Sequence, residues 1–445
     1  MLKYFGTDGV RGKANETLNA TVAYRIGRCL GRLKKGSAPK VLVCEDTRLS
    51  SEMLRNAIIS GLLTSGAEVY DERVSSTPSV SYLVMKHSFD YGVMVSASHN
   101  PFDDNGIKIF NRLGEKLEDS IEEIIEEYMD REEDDLPKPI GTKLGRYHDG
   151  ESLKQEYIEW LKSKSKGDYS KIKVVVDCAN GSTSYLAPAL FASLGIQATF
   201  INSTPNGINI NAKCGSTHME GLKKVFDLGG YDFGLAFDGD GDRFLAFGPG
   251  GRFIDGDAQI YLHAIEMKKN GLLSKNRAVM TVMSNLGLRK GLAKNGIDFS
   301  IVSVGDKYVQ AEMKKNELKI GGEQSGHVIF LDDLNTGDGL LSAIHLLDLY
   351  VNDPKVYALV KSLKVYPQIL KNISFKTKDE LLKVATSPVL LKYGQEVEES
   401  LHGEGRVLIR SSGTEPLLRI MVEGPTEASC LDAIARIETK AMEVL

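Results

Sequence analysis

A strand–helix–strand unit occurs three times along the chain, and this repeat constrains the fold more than any other feature. Each unit joins two apolar strands through a helical segment, and the three units cover residues 41–72, 173–201 and 278–304. Continuous apolar strands that alternate with helices are typical of parallel sheets covered by helices on both faces. We therefore expect an α/β protein with three similar domains built on mixed, mostly parallel sheets.

The C-terminal part has a different pattern. Residues 405–424 predict two strands around a polar turn, and an amphipathic helix follows. This pattern indicates a smaller α+β domain. The acidic segment 115–135 has apolar residues at helical spacing, and we expect a helix with a solvated acidic face. The predicted domains are residues 1–150, 151–250, 251–366 and 367–445.

Charge and cysteine content exclude several classes of partner. A formal net charge of -5 gives no general attraction to nucleic acid or to an acidic membrane surface. No apolar run approaches the ~18–20 residues of a membrane span, and the N-terminus lacks the apolar run of a signal peptide. Five cysteines without a CxxC pair fit free thiols in a reducing compartment. We expect a cytoplasmic protein that binds neither nucleic acid nor membrane.

Ser98 follows the apolar strand of segment 91–110, at a position where open α/β sheets bind ligands. Adjacent side chains in an extended segment point in opposite directions, so we do not expect Ser98 and His99 to form a hydrolase dyad. A serine at this position is either a nucleophile or an ordinary turn residue.

Three carboxylates, Asp238, Asp240 and Asp242, alternate with glycines between two apolar runs. Carboxylates this close repel one another unless a cation neutralises them. Hard oxygen ligands favour Mg²⁺ or Ca²⁺ over Zn²⁺, and Arg243 stands where an EF-hand requires glycine. The segment predicts a metal site, with a solvated acidic turn as the alternative.

Segment 319–330 carries Glu323, Ser325 and His327, which are spaced by two residues. In an extended loop these side chains project to one side, and they suit a polyhydroxylated ligand. An ordinary glycine-rich turn is the alternative.

Segment 410–419 combines arginines with a polar turn. Hydroxyl and backbone N–H groups at 411–414, with Arg410 and Arg419, can hold a phosphate, although a hairpin turn with chance arginines has the same pattern. The N-terminal segment 4–12 fails the Rossmann and Walker A patterns. Its Arg11 reaches a ligand only if the segment folds over the site.

Five motifs, FGTDGVRG, SASHNP, DGDGDR, GEQSGH and SGTEP, occur in this order, and together they resemble the α-D-phosphohexomutase family over nearly the whole chain. The start MLKYFGTDGVRG, KCGSTH at 213–218 and Gln324 are similar to the branch of that family that acts on glucosamine phosphates. The phosphomannomutase/phosphoglucomutase branch typically has methionine where Gln324 stands.

This resemblance implies four domains in a heart shape around a central cleft, and it implies roles for individual residues. Ser98 would be the phosphoserine. The ligands of Mg²⁺ would be Asp238, Asp240, Asp242 and a phosphoserine oxygen of Ser98. The residues around the transferred phosphoryl group would be Arg11, His99, Lys108 and Arg243. The residues that contact the sugar or hold its phosphate would be Glu323, Ser325, His327, Arg410, Ser412, Gly413, Thr414 and Arg419.

The implied activity is an isomerisation of glucosamine 6-phosphate to glucosamine 1-phosphate, a step toward UDP-N-acetylglucosamine. Glucosamine 1,6-bisphosphate would be the intermediate and activator, and a homodimer is expected. Lys108 and His99 are both candidates for the general base. The alternatives are a phosphomannomutase/phosphoglucomutase and a metal-dependent sugar phosphatase with Asp238 as nucleophile. The phosphatase lacks support because DGDGD has no threonine or valine after its first DxD pair. A third alternative is a non-catalytic protein that binds Ca²⁺ or a sugar phosphate.

Overall fold

The computed structural model of the protein describes residues 3–6, 8–412 and 416–445. The chain forms two compact units. The larger unit contains Met1–Met283 and Ile297–Val360, and the smaller contains Ser284–Gly296 and Lys361–Leu445.

The first sheet of the larger unit has seven strands. They are β1 (Phe5–Gly6), β2 (Gly9–Lys13), β3 (Lys40–Glu45), β4 (Glu68–Val74), β5 (Tyr91–Val95), β6 (Asp104–Asn111) and β7 (Arg146–Asp149). Their order in the sheet is β1-β2-β6-β5-β3-β4-β7. Strands β5, β3, β4 and β7 pair in parallel, and the other pairings are antiparallel. The accompanying helices are α1 (Ala20–Leu33), α2 (Ser51–Thr64), α3 (Thr77–His87) and α4 (Asp119–Met129).

The second sheet has five strands, β8 (Lys173–Asp177), β9 (Gln197–Ile201), β10 (Phe233–Phe237), β11 (Phe244–Gly248) and β12 (Arg252–Ile254). Their order is β12-β11-β10-β8-β9, with parallel pairs on either side of β8. Its helices are α5 (Leu153–Lys164), α6 (Thr183–Ser193) and α7 (Glu220–Asp227). Strand β10 is buried throughout, as expected for a continuous apolar strand in the middle of a covered sheet.

The third sheet has the order β14-β13-β15-β16, after α8 (Gly256–Lys269). Its strands are β13 (Arg277–Thr281), β14 (Asp298–Val302), β15 (Ile320–Gly322) and β16 (Val328–Phe330). The helix α9 (Leu286–Lys294), which follows β13, belongs to the smaller unit. The remaining helices of the larger unit are α10 (Asp306–Lys315), α11 (Gly339–Asn352) and α12 (Pro354–Ala358).

The smaller unit has an antiparallel sheet of order β17-β19-β18. Its strands are β17 (Gln368–Ser374), β18 (Arg406–Ser411) and β19 (Leu417–Glu423), and its other helices are α13 (Lys378–Ala385), α14 (Pro388–Glu399) and α15 (Glu427–Val444). These elements enclose an apolar core of their own, which includes Leu390, Ile420 and Ile437.

The predicted fold class is confirmed: three mixed α/β sheets precede a small α+β part. In the first two sheets parallel pairings are as frequent as antiparallel ones, because each adds antiparallel strands beside its parallel core. Each of the four sheets lies close to one predicted domain, although β12 extends past residue 250 into the segment assigned to the third. The four-domain division stays a prediction.

The acidic helix α4 differs from the prediction of a solvated face. Glu126 is buried, and its carboxylate accepts hydrogen bonds from the backbone N–H groups of Lys3, Tyr4 and Phe5. Unpaired backbone donors in a buried position are costly, so this carboxylate stabilises the N-terminal segment that carries Arg11. Within the described part of the chain, no helix is long and apolar enough to cross a membrane.

Candidate active site

Ser98 and the aspartate triplet lie side by side, where β5 of the first sheet and β10 of the second end. The Ser98 hydroxyl donates a hydrogen bond of 2.7 Å to Asp238 Oδ2. Both side chains are buried, at 1% and 0% exposure. Gly239 makes this approach possible, because a Cβ at that position would lie 2.6 Å from the Ser98 carbonyl oxygen. The structure thus brings together two segments that are 140 residues apart in sequence.

The backbone at Ser98 is not extended, so the reason given for excluding a Ser98–His99 dyad is wrong. Its φ of 53° lies in the left-handed region, and the Ser98 hydroxyl is 3.5 Å from His99 Nδ1. That distance is at the outer limit for a hydrogen bond, whereas the bond to Asp238 is of normal length. The hydroxyl is therefore directed to the carboxylates rather than to the imidazole.

The three carboxylates converge on one point. Asp238, Asp240 and Asp242 are buried, and each offers an oxygen within 4.8 Å of the oxygens of the other two. Asp240 Oδ1 and Asp242 Oδ1 are buried without a hydrogen-bond partner among the residues described. Unsatisfied buried carboxylate oxygens are costly, and hard oxygen donors in this arrangement are what Mg²⁺ requires. The residues present therefore fit a divalent cation.

Lys108 on β6 supplies part of the neutralising charge. Its ammonium, 1% exposed, lies 2.8 Å from Asp240, 3.1 Å from Asp8 and 3.3 Å from Asp242. Burial opposes the charged form, but these carboxylates outweigh burial and hold the pKa of Lys108 well above its usual range. Burial, with the charges of Asp242 and Asp240, raises the pKa of Asp238. One lysine therefore leaves the triplet with excess negative charge.

The other residues predicted around the phosphoryl group are also close to Ser98. The Arg11 guanidinium forms an ion pair with Asp8 and donates to the Ala97 carbonyl oxygen at 3.1 Å. The Arg243 backbone N–H donates to Asp238 Oδ1 at 3.2 Å. Burial and the cations Arg243 and Arg11 lower the pKa of His99 to about 4, so its imidazole is neutral at pH 7.

The segment with Glu323, Ser325 and His327 is a tight turn between β15 and β16, not an extended loop. The Glu323 N–H donates to the His327 carbonyl oxygen, and Gly326, with a φ of 95°, closes the turn. His327 accepts a hydrogen bond from the Gly337 N–H at 3.0 Å, and its Nδ1 is 3.8 Å from Asp242. Glu323 borders both the cleft that contains Ser98 and an adjoining opening, which Ser325 also borders. Glu323 and His327 therefore face the Ser98 cleft, whereas Ser325 faces the adjoining opening.

A cleft of about 460 Å³ unites these groups within the larger unit. Its wall includes Arg11, Ser98, His99, Arg243, Glu323 and His327. A volume of this size is in the range of small-molecule sites. The cleft therefore has room for a hexose phosphate against the Ser98 hydroxyl.

The predicted phosphate-binding turn lies in the smaller unit. Arg410 and Arg419 are directly opposite each other in the β18–β19 ladder, and the Ser412 N–H donates to the Leu417 carbonyl oxygen at 2.8 Å. Burial and the charge of Arg419 lower the pKa of Arg410. Like charges on facing positions destabilise a sheet, which indicates a site for an anion. Gly413 and Thr414 lie outside the described residues.

Arg48 and Asn211 contact the Ser98 loop and were not predicted from the sequence. Arg48, buried against Asp46, donates to the carbonyl oxygens of Ser98 and Asn100 at 2.9 Å each. Asn211 Nδ2 donates to the same two oxygens at 2.8 and 3.1 Å. The sequence did contain a signal that Arg48 lies near the site, because Arg48 follows β3 at the sheet edge where β5 also ends. Asn211 gave no such signal, because it lies in an irregular segment between β9 and β10.

A buried serine hydroxyl on a carboxylate triplet, in a cleft between α/β sheets, fits a phosphoryl-transfer site that uses a divalent cation. Four sequence models of the phosphoglucomutase/phosphomannomutase family match the chain. They are alpha/beta/alpha domain I over residues 2–135, domain II over 155–251, domain III over 255–366 and the C-terminal domain over 370–440. The chain belongs to the phosphoglucomutase/phosphomannomutase family.

Curated relatives and solved structures agree with this assignment. Phosphoglucosamine mutases of Bacillus cytotoxicus and Geobacillus thermodenitrificans are each 46% identical over 440 residues, which is 98% of this chain and 98% of each relative. A phosphoglucomutase/phosphomannomutase family protein from Burkholderia thailandensis has a TM-score of 0.80 at 24% identity, covering 99% of this chain and 98% of its own. Aspergillus fumigatus N-acetylphosphoglucosamine mutase, solved with GlcNAc-6P and magnesium, has a TM-score of 0.71 at 17% identity, covering 100% and 96%.

Proposed function

We propose that this protein is a phosphoglucosamine mutase, an isomerase that interconverts glucosamine 6-phosphate and glucosamine 1-phosphate. The observation that carries the proposal is the hydrogen bond between the Ser98 hydroxyl and Asp238 inside the carboxylate triplet. The proposed reaction explains why a serine hydroxyl and a site suited to a cation are buried side by side. The identity of 46% to phosphoglucosamine mutases over nearly the full chain supports the choice of substrate.

The residues around Ser98 would have two roles in this reaction, cation binding and charge neutralisation. Asp238, Asp240 and Asp242 would hold Mg²⁺, together with an oxygen of phosphorylated Ser98. When bound, Mg²⁺ supplies positive charge that stabilises the transferring phosphoryl group and its developing oxyanions. Lys108, Arg11 and Arg243 add positive charge around the same point.

The reaction starts with a phosphoryl group on Ser98 Oγ. The C1 hydroxyl oxygen of glucosamine 6-phosphate attacks the phosphorus, the bond from phosphorus to Ser98 Oγ breaks, and the hydroxyl proton passes to a base and then to Oγ. The product is glucosamine 1,6-bisphosphate. After this sugar reorients, Ser98 Oγ attacks the phosphorus of its 6-phosphate, the bond from phosphorus to O6 breaks, and the serine proton passes through the base to O6. This step releases glucosamine 1-phosphate and restores the phosphoserine.

The smaller unit would bind whichever phosphate is not reacting. The planar forks of Arg410 and Arg419 suit two oxygens of one phosphate, and the Ser412 hydroxyl would add a donor. The family resemblance assigns Gly413 and Thr414, which lie outside the described residues, to the same phosphate. No ion pair of either arginine with a carboxylate was found within 4.0 Å in the described part of the chain, which leaves both guanidinium groups available for an anion. Because the two arginines would bind a 1-phosphate and a 6-phosphate equally, the same pair would serve both half-reactions.

Comparing substrates tests the proposed function. We expect kcat/KM for glucosamine 6-phosphate to exceed the values for glucose and mannose 6-phosphates by at least about 10-fold, because the C2 amine is the group that differs. ³¹P NMR with Mg²⁺ follows each isomer together with free phosphate. A preference for mannose 6-phosphate would support the phosphomannomutase alternative, and release of phosphate without isomerisation would support a phosphatase.

Asn211→Asp is expected to lower kcat by about 10- to 100-fold with a smaller change in KM. The substitution is isosteric and tolerates the φ of 56° at this position, but an oxygen replaces the donor to the Ser98 and Asn100 carbonyl groups. Asn15→Asp is the matched control, since Asn15 has a φ of 61° and an exposed side chain. Equal kinetics for both variants would show that Asn211 does not position the serine.

A further inference from the structure

A second cavity of about 320 Å³ lies in the larger unit between α8, β16 and α11, and the proposed reaction does not use it. It shares no lining residue with the cleft that contains Ser98. Its apolar wall consists of Met267, Leu272, Phe330 and Leu349. Its polar wall includes His263, Glu266, His345 and Asp348. The volume falls within the range of small-molecule sites.

Asp348 is the feature of this cavity that needs an explanation. It is 7% exposed, and its Oδ1 accepts hydrogen bonds from the Tyr169 hydroxyl at 2.5 Å and the Lys166 N–H at 2.9 Å. Its Oδ2 is buried and has no hydrogen-bond partner among the residues described. In the same part of the chain, no lysine, arginine or histidine nitrogen forms an ion pair with it within 4.0 Å. Buried carboxylates are normally paired with a cation.

The other carboxylates around the cavity have cationic partners from the chain. Asp332 pairs with Lys319 at 2.7 Å and Asp353 with Lys269 at 2.5 Å. Asp333 lies 2.9 Å from the Lys164 ammonium and 3.0 Å from His345 Nε2. The unmatched negative charge is therefore localised at Asp348, at the inner ends of α8 and α11.

Two further buried acceptors surround the same space. His263 is 6% exposed and its Nε2 has no partner among the described residues, as is also true of Glu266 Oε2. Burial lowers the pKa of His263, so its imidazole is neutral, and Nε2 accepts a hydrogen bond in the tautomer that carries the proton on Nδ1. The nearest ammonium to Glu266 Oε2 is that of Lys269, at 3.8 Å. The two carboxylate oxygens therefore require a ligand that donates hydrogen bonds, and His263 Nε2 accepts one in that tautomer.

Aromatic rings form one side of the cavity. The ring of Phe330 lies 4.9 Å from that of His263 and 4.5 Å from that of His345, centroid to centroid. Such a surface favours a flat or compact apolar body. A metal ion does not explain the site, because the only group of three ligands close enough to share an ion, within the described residues, is the aspartate triplet of the active site.

We propose that this cavity binds a small organic cation, an amine or amidine on a compact apolar body, whose N–H groups bond Asp348 and Glu266 while the body packs on Phe330. The ligand's positive charge would pair with the carboxylate of Asp348, and its apolar part would displace water from Met267, Leu272 and Leu349. This binding site is independent of the mutase reaction.

The test compares benzamidine with benzamide, which has the same shape but no charge, by isothermal titration calorimetry on the full chain with Mg²⁺. We expect benzamidine to bind with a Kd below about 1 mM and at least about 10-fold more tightly than benzamide. Asp348→Asn should remove this preference and leave mutase activity unchanged. Asp332→Asn is the matched control, because Asp332 is already paired with Lys319, and its affinity should stay within about twofold of the wild type.

Three outcomes would overturn the proposal. Absence of saturable binding at about 10 mM benzamidine would mean that water alone fills the cavity. Equal affinity for the two probes would remove the role of charge. Unchanged benzamidine binding in Asp348→Asn would place the probe elsewhere, for example on the acidic triplet. If Asp348→Asn fails to fold, the isosteric Glu266→Gln is used, and it should lower the affinity at least about threefold.

Discussion

Replacing Ser98 with alanine is expected to lower kcat by at least about 10³-fold, because the Ser98 hydroxyl is the oxygen proposed to carry the phosphoryl group. The Ser98 hydroxyl is 1% exposed and bonds Asp238 at 2.7 Å, so the substitution removes the phosphoryl acceptor with little change in shape. The rate of glucosamine 1-phosphate formation from glucosamine 6-phosphate measures the effect.

Added glucosamine 1,6-bisphosphate should not rescue the Ser98→Ala variant, since the bisphosphate must return a phosphoryl group to that oxygen. Ser60→Ala is the control, because Ser60 lies on the exposed face of α2 and its hydroxyl donates to the Asn56 carbonyl oxygen. We expect full activity from this control. Near-normal turnover in Ser98→Ala would exclude Ser98 as the carrier.

Removal of divalent cations is expected to lower activity by at least about 10³-fold, and Mg²⁺ should restore it. Without a metal ion, the charges of Asp238, Asp240 and Asp242 face a phosphate dianion, and Lys108 is the one close ammonium among the described residues. Coulomb repulsion at this range is large in a buried site. The measurement is kcat/KM after treatment with EDTA and again after titration with Mg²⁺.

Asp240→Asn provides the matched comparison for the chelation experiment. The variant keeps the side-chain shape, but it removes one charged ligand, so half-maximal activity should need at least about 10-fold more Mg²⁺. Circular dichroism of the EDTA-treated protein should show an intact fold, because Lys108 still neutralises part of the cluster. Full activity in the presence of EDTA would exclude a metal ion from the mechanism.

Much of the fold was predictable because its signals are local. The apolar runs at 41–46, 173–177 and 278–281 and the helices that follow them are visible without tertiary information. The positions of Ser98 and Asp238 at the edges of their sheets were predictable for a related reason. Residues at the carboxyl ends of buried strands converge at a sheet edge, whatever their separation in sequence.

The remaining features depend on contacts that no local pattern encodes. Glu126 has the sequence context of a solvated helix face, yet it accepts three backbone N–H groups from the N-terminal segment. Ser98 was expected in an extended segment, but its backbone is left-handed. Arg48 and Asn211 donate hydrogen bonds to its carbonyl oxygen in this conformation. Asp348 has the sequence context of any acidic residue on a helix, and only the three-dimensional structure shows that its Oδ2 is buried without a hydrogen-bond partner among the described residues.

The central claim is that a phosphoryl group travels through Ser98, and labelling the enzyme tests it most directly. Dephosphorylated protein is mixed with Mg²⁺ and glucosamine 1,6-bisphosphate that carries ³²P on both phosphates, quenched with acid and mapped by peptide analysis. We predict label on the peptide that contains Ser98, and its transfer to unlabelled glucosamine 6-phosphate in a chase at a rate no slower than kcat. A protein that turns over substrate while this peptide remains unlabelled would contradict the account.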